Sequence, residues 1–386
     1  MWQKTLGVDI NTDRIQAIAS GSLEISEPGL APLLQAVVDS AQLEVSTKPH
    51  GSKAFVIAVP TPSCEDHSAD LEFVWAAVES IIPVLSEGNL VAIESTCPPG
   101  TTVKVERKIV AARPELEGQV DVAYCPERIL PGNAVEELRI NDRTIGGTTE
   151  QASRHAADLY KSFCDGELLI TDATSAEMVK LAENAYRDVN IAFANELSLI
   201  ADTLDVDPWQ VIELANRHPR VNILKPGPGV GGHCIAVDPW FLIESAPQQA
   251  EITRTAREVN DRKPDWVIAK AESIIDRLDP RKVAILGLSF KADIDDLRQS
   301  PALQIASDLA SRNPETNFIA VEPNIRDTPT QFNTPNISWT PALPSDEELQ
   351  LVVWLVDHQE FRNAESSIYR TVPILDACGN RSRLSR

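Results

Sequence analysis

The stretch Ala173–Leu204 constrains this chain more than any other. It contains neither Pro nor Gly and is rich in Ala, Leu, Glu and Asn. It reads as one long helix, or two in tandem, opened by a cap at Asp172 or Thr174. On either side the pattern is different. Before it, short apolar β-rich runs at Thr5–Val8, Ala54–Val59, Leu90–Glu94 and Val120–Tyr124 alternate with helical periodicity at Ile15–Ala19, Leu71–Leu85 and Thr102–Ala112. Apolar strands between amphipathic helices imply a parallel sheet covered on both faces. After it come two more helical stretches, Pro208–Asn216, with Pro208 in its first turn, and Gln249–Leu278. The alternation then resumes with strands at Lys282–Leu286, Asn317–Val321, Leu351–Val356 and Pro373–Asp376, and a helix at Pro301–Ala310. The expected class is α/β, with an N-terminal α/β domain (residues 1–170), a central helical domain (171–265) and a smaller C-terminal α/β domain (266–386). A chain of 386 residues is too long for one ordinary core. Long central helices of this kind favour a homodimer.

Charge and cysteine usage narrow the partners. Lys+Arg number 35 against 57 Asp+Glu, a formal net charge of −22. That argues against nucleic acid and anionic membrane, while a phosphorylated small ligand needs only a few local cations. No apolar run approaches about 18 residues, so no membrane span is expected, and the start resembles no signal peptide. The six cysteines are scattered without CxxC spacing. This favours reduced thiols, a cytoplasmic location and no metal site.

The run Pro226-Gly227-Pro228-Gly229-Val230-Gly231-Gly232-His233-Cys234 carries four glycines in six positions. Missing side chains let a ligand or a second backbone come very close. Cys234 stands at the end of this opening, with Asp238 four residues on. The arrangement reads as a displayed nucleophilic thiol, or as a glycine-rich turn before a strand with a structural cysteine. A dyad with His233 is disfavoured, since neighbours on an extended strand face opposite ways.

The front is unusual. Leu6-Gly7-Val8-Asp9 resembles the second strand of a dinucleotide fold, where a terminal acid binds the adenosine ribose. Alternatively, Asp9 caps the helix containing Ile15. Such an acid follows a G-x-G-x-x-G turn by about 20 residues, yet only eight residues precede Asp9. The expectation is a Rossmann-like domain without its first strand and pyrophosphate cradle, with a rearranged sheet and weakened NAD+ binding. The other reading is that the natural start lies upstream.

Six motifs occur in one order: Val59–Pro62, Glu94–Thr102, Cys125–Gly132, Glu177–Asn184, the glycine-rich cysteine run, and Gly287–Arg298. Together they resemble the UDP-glucose/GDP-mannose dehydrogenase family, whose members oxidise the C6 alcohol of a nucleotide sugar with NAD. Within it, His218–Leu224 and Ile235–Phe241 look most like the branch acting on UDP-N-acetyl-D-mannosamine.

The resemblance implies three groups of residues. Cys234 would capture the intermediate aldehyde as a thiohemiacetal and pass through a thioester. Lys180 and Asn184, one helical turn apart, would stabilise the oxyanion. Asp238 would act with a water as base, and Glu127 with Thr96 would position water for hydrolysis. NAD would meet Asp9, Arg14, Pro60, Thr61, Ser95, Thr96 and Arg298. The substrate would meet Glu127, Lys180, Asn184, Arg220, Lys225, Gly231 and Lys291. The expected activity is four-electron oxidation of UDP-N-acetyl-D-mannosamine. The alternatives are oxidation of UDP-glucose or another UDP-hexose, and a non-catalytic chain that still binds a UDP-sugar.

Overall fold

The computed structural model describes residues 4–23, 27–129, 132–344, 349–363 and 372–379. It separates into two compact units, Met1–Glu183 and Asn184–Arg386.

The N-terminal unit runs β1 (Thr5–Val8), α1 (Thr12–Ala19), α2 (Leu30–Asp39), β2 (Leu43–Ser46), β3 (Ala54–Ile57), α3 (Glu72–Ile81), β4 (Leu90–Ile93), α4 (Thr101–Ala112), β5 (Asp121–Tyr124), α5 (Ala134–Ile140), β6 (Arg143–Gly147), α6 (Glu150–Tyr160) and β7 (Leu168–Asp172). The helix expected over 71–85 tightens to a 3₁₀ turn at Ile82–Val84, where Pro83 has no N–H to continue the ladder. The strands form two sheets: a parallel pair β1–β2, and a five-stranded sheet ordered β3-β4-β5-β6-β7. No pairing joins β1 or β2 to β3 among the described residues. The larger sheet is not wholly parallel as expected, because β5 and β6 run antiparallel. One face packs Ile57, Ile93 and Val122 against Val74 and Val78 of α3 and Val105 and Ile109 of α4. The other packs Ala92, Ala123 and Ile145 against Ala156 and Tyr160 of α6.

α7 (Ala173–Thr203) is a single unbroken helix. Of the two expected caps it is Asp172 that accepts the Ser175 N–H, at 2.9 Å. The C-terminal unit continues with α8 (Pro208–Ala215), α9 (Asp238–Ser245), α10 (Glu251–Leu278), β8 (Lys282–Leu286), α11 (Pro301–Arg312), β9 (Asn317–Val321), β10 (Ile337–Thr340), β11 (Leu351–Trp354), α12 (Gln359–Asn363) and β12 (Ile374–Asp376). Its sheet is ordered β10-β9-β8-β11-β12 and every recorded pairing is parallel. Chain order reverses between β8 and β11, which makes the carboxyl ends of those strands the switch point where such sheets bind ligands. Val267, Ile268, Ala271 and Ile275 of α10 share one core with Val283, Ile285, Phe318 and Val353 of the sheet. Trp354 and Phe361 fill the opposite face.

α7 and α10 meet through a buried polar seam. Arg257 Nη1 bonds Asp188 Oδ1 at 2.6 Å, Asn195 Nδ2 bonds Asn260 Oδ1 at 2.9 Å, and Lys263 Nζ bonds Ser198 Oγ at 2.5 Å. Losing Arg257 leaves the buried Asp188 carboxylate without a counter-charge, which costs about 3–5 kcal/mol.

Candidate active site

In the N-terminal unit the candidate residues follow the carboxyl ends of β1, β3, β4 and β5. Asp9, just beyond β1, accepts the Asn11 N–H at 2.8 Å and pairs with Arg14 Nη1 at 3.0 Å. The Asn11 bond and, against the opposing effect of burial, the Arg14 guanidinium hold the Asp9 carboxyl below its usual range. Asp9 is not the helix cap, because Asn11 accepts the Asp13 and Arg14 N–H groups. Asp9 is thereby oriented at a strand end, the position that takes ribose hydroxyls in a dinucleotide fold.

Ser95, buried after β4, donates to Val59 O at 2.7 Å and accepts from Val59 N at 2.8 Å. It ties together the loops that carry Pro60, Thr61 and Thr96. Thr61 and Thr96 are half-buried and Pro60 is exposed. A buried carboxylate, Glu177, anchors the next helix. It accepts Gly100 N at 2.5 Å, Thr102 N at 2.7 Å and Thr102 Oγ1 at 2.7 Å, at the N-terminus of α4. Its motif was visible in sequence, but this role was not.

Half-buried Glu127 accepts the Ile129 N–H, while its neighbour Arg128 pairs with Glu183 at 2.5 Å. Leu130 and Pro131 of that motif lie outside the described residues. Lys180 is 8% exposed and makes no ion pair among the described residues. A buried ammonium without an anion is unfavourable unless a ligand supplies one.

These residues fit NAD at two places: Asp9 for the adenosine ribose, and the loops after β3 and β4, which Ser95 ties to each other. Among the described residues of this unit, no glycine-rich strand–turn–helix serves the pyrophosphate.

In the C-terminal unit Cys234 lies in a turn leading into α9, not on a strand. Its carbonyl accepts Val237 N at 3.1 Å and Asp238 N at 2.8 Å. The strand-based argument against a His233 dyad therefore falls away. The turn places Cys234 and Asp238 one helical turn apart. Asp238 is 3% exposed, and its Oδ2 accepts Asn184 Nδ2 at 2.6 Å. Cys234 itself is exposed. Burial pushes the Cys97 and Cys125 thiols up, which leaves them poor thiolates.

The glycines do serve close approach, and it is the chain's own residues that approach. A Cβ on Gly231 would come within 2.7 Å of Pro301 Cδ. One on Gly232, whose φ is +86°, would come within 2.8 Å of the Phe290 ring. The cysteine turn is thus seated on the segment after β8.

Of the expected cations, Arg298 is fixed by a bidentate pair with Asp296, closest at 2.6 Å. It is near enough to Cys234 and His233 for their charges to interact. Burial, and then Arg298, keep His233 less basic than usual. Arg220, Lys225 and Lys291 are exposed.

Sequence reading missed a cluster at the switch point. Glu322 follows β9, His358 follows β11, and both are 0% exposed. Glu322 Oε2 accepts Leu288 N, Ser289 N and His358 Nε2 at 2.8, 3.1 and 2.9 Å. Donor atoms of Asp293, His358 and Glu360 lie within 4.8 Å of one another, but both His358 nitrogens are engaged, since Nδ1 accepts Asp293 N at 3.0 Å. That leaves no imidazole lone pair for a metal.

Three family models match consecutive parts of the chain. They describe the NAD binding domain of the UDP-glucose/GDP-mannose dehydrogenase family (residues 2–164), its central domain (174–262) and its UDP binding domain (284–379). The chain belongs to the UDP-glucose/GDP-mannose dehydrogenase family. Like the family, it is an NAD-dependent nucleotide-sugar dehydrogenase. It is 47% identical to UDP-N-acetyl-D-mannosamine dehydrogenase of Campylobacter jejuni, over 94% of this chain and 91% of that protein. It is 46% identical to an NDP-N-acetyl-D-galactosaminuronic acid dehydrogenase of Ralstonia nicotianae, over 98% and 90%. A solved structure of UDP-D-ManNAc dehydrogenase from Pyrococcus horikoshii superposes with a TM-score of 0.85 at 36% identity, covering 98% of this chain and 90% of that one. Among the described residues no helix is long and apolar enough to cross a membrane.

Proposed function

We propose that this dehydrogenase oxidises the C6 alcohol of UDP-N-acetyl-D-mannosamine to the carboxylate, a four-electron reaction performed as a homodimer in the cytoplasm. The observation that carries the chemistry is the exposed Cys234 one helical turn from buried Asp238, which Asn184 holds at 2.6 Å. NAD+, when bound, accepts the hydride of each oxidation. In the first oxidation the alcohol proton passes through water to Asp238. Cys234 then adds as thiolate to the aldehyde carbon, forming a C–S bond and a thiohemiacetal. Loss of the second hydride leaves a thioester, and water cleaves its C–S bond to give the carboxylate and the thiol. By family resemblance Lys180 and Asn184 stabilise the alkoxide, while Glu127 and Thr96 order the hydrolytic water. Asp9, Arg14, Pro60, Thr61, Ser95, Thr96 and Arg298 are assigned to NAD, and Arg220, Lys225, Gly231 and Lys291 to the UDP-sugar. The boundaries 1–170, 171–265 and 266–386 are proposed for the three functional regions.

The choice of a 2-acetamido sugar follows the relatives of 47% and 46% identity, one named for UDP-N-acetyl-D-mannosamine and the other for an NDP-N-acetyl-D-galactosaminuronic acid. The Ralstonia relative favours a second reading, in which the hexosamine has the galacto configuration. NADH formation by the purified chain decides among these. Two NADH per sugar from UDP-N-acetyl-D-mannosamine, with weak turnover of UDP-N-acetyl-D-galactosamine and UDP-glucose, is the expected result. Cys234→Ala should lower turnover on the order of a thousandfold or more. No NADH from a chain that still binds the UDP-sugar would show a binding protein rather than an enzyme.

A further inference from the structure

Glu322 stands where the second strand of this parallel sheet ends, beside the loop that follows the first. In nucleotide-binding sheets of this order, an acid there commonly faces a ligand ribose, and the loop N–H groups face a phosphate. Here the two are joined to each other. Glu322 Oε2 takes the Leu288 and Ser289 N–H groups, and Oε1 takes Asn324 N at 3.0 Å and Asn324 Nδ2 at 3.2 Å. The carboxylate thus fills the phosphate position of its own domain with a protein anion. His358 braces it from β11. Its Nε2 meets Glu322 Oε2 at 2.9 Å, and its Nδ1 accepts Asp293 N at 3.0 Å and Asn324 Nδ2 at 3.1 Å. With both Nδ1 contacts donors, Nε2 carries the proton and His358 donates to Glu322. The loop between these anchors is short. Ser289 N is fixed at one end and Asp293 N at the other, and Ser289 Oγ donates to Lys291 O at 2.7 Å. Lys291, exposed between them, makes no ion pair among the described residues.

We propose that Glu322 and His358 are positioning residues: they lock the Ser289–Asp293 loop so that Lys291 is presented to the diphosphate of the nucleotide sugar, and they deny the loop N–H groups to that diphosphate. This rests on the reading of Lys291 as a substrate-binding cation. Burial alone would raise the Glu322 carboxyl, but His358 and the loop N–H groups outweigh it and hold it below the usual range, so the anion is present at neutral pH. An ordered ammonium spends less conformational entropy on each phosphate contact than a mobile one.

Calorimetric titration of UDP into the full chain tests the proposal without turnover, alongside KM for sugar and for NAD+. Glu322→Gln keeps the shape but places an amide against loop donors. It should weaken UDP about tenfold and raise the sugar KM in step, with kcat and the NAD+ KM within about threefold. His358→Gln, which retains a donor toward Glu322, should recover part of the affinity lost in His358→Ala. Ser289→Ala removes the hydroxyl bond to Lys291 O together with the 3.3 Å contact to His358 Nε2, and should weaken UDP about threefold. It stands in for the others if they do not fold. Unchanged UDP affinity in a folded Glu322→Gln or Ser289→Ala, or an equal rise in the NAD+ KM, overturns the positioning role. Unchanged affinity in Lys291→Ala overturns the underlying reading of Lys291 and the proposal with it. A loss in Lys291→Ala without one in Glu322→Gln overturns the positioning alone.

Discussion

Lys263 shows what a single buried charge does to this protein. Its ammonium is 3% exposed, bonded to Ser198 Oγ and 4.0 Å from the centroid of the Trp266 ring. Burial, against the opposing pull of Asp202, pushes its pKa down to about 8, below the ordinary value of about 10.4. Between those two pH values the unfolded chain binds a proton that the folded chain does not, so stability rises with pH across that window. Below pH 8 both states are charged and the full desolvation cost is present. Lys263→Met should therefore be more stable than the parent at pH 7, by on the order of 3 kcal/mol at most. Its thermal midpoint should also be flatter between pH 8 and 10. Melting curves across that range check both; a parent midpoint that falls as pH rises would contradict the account.

At the scale of elements, Glu177 joins the start of α4 to α7. Gly100, the N-cap of α4, has no side chain to satisfy the first N–H groups, and the carboxylate from α7 does so instead. Glu177→Ala leaves those donors buried and unpaired, and should cost about 3 kcal/mol, read as a lower denaturant midpoint at unchanged slope. How far the elements could be read from the chain also has a physical basis. α7 and the strands β4, β5, β8 and β9 were legible because continuous apolar or helical periodicity and burial agree. β6 was not, because in Arg143-Thr144-Ile145-Gly146-Gly147 two glycines weaken the strand pattern. It is a buried strand whose glycines are required by contact: a Cβ on Gly146 would strike Ala176 at 2.7 Å, and one on Gly147 would reach Ala152 C at 2.8 Å. The cysteine turn was misjudged as strand for a related reason. Its glycines take their backbone from Phe290 and Pro301, distant in sequence. In the candidate site, Cys234, Asp238 and Asn184 were legible by motif. Glu322 and His358 were not, because nothing local distinguishes a buried acid after a strand from an exposed one.

For the whole molecule the decisive question is assembly. Along α7, Tyr186, Phe193 and Ile200 are exposed by 73%, 50% and 48%. They recur every seven residues, two turns of helix, and so line one face. A repeated apolar stripe of this kind suits self-association with a second copy. If the proposed homodimer uses this stripe, Phe193→Asp should convert it to a monomer in light scattering at micromolar concentration. An unchanged mass would place the interface elsewhere.

The division of the N-terminal sheet has a separate dynamic consequence. Between Thr5 and Ser46, among the described residues, only Leu34 is a buried hydrophobic side chain, and none belongs to a core cluster. Segments with so little burial open at a small fraction of the global free energy. Amide hydrogen exchange in β1, α1, α2 and β2 should therefore run far ahead of that in β4 and β5. A ligand that grips Asp9 binds only the ordered form of this segment, so NAD+ should slow exchange there selectively, and its apparent affinity should carry the cost of that ordering.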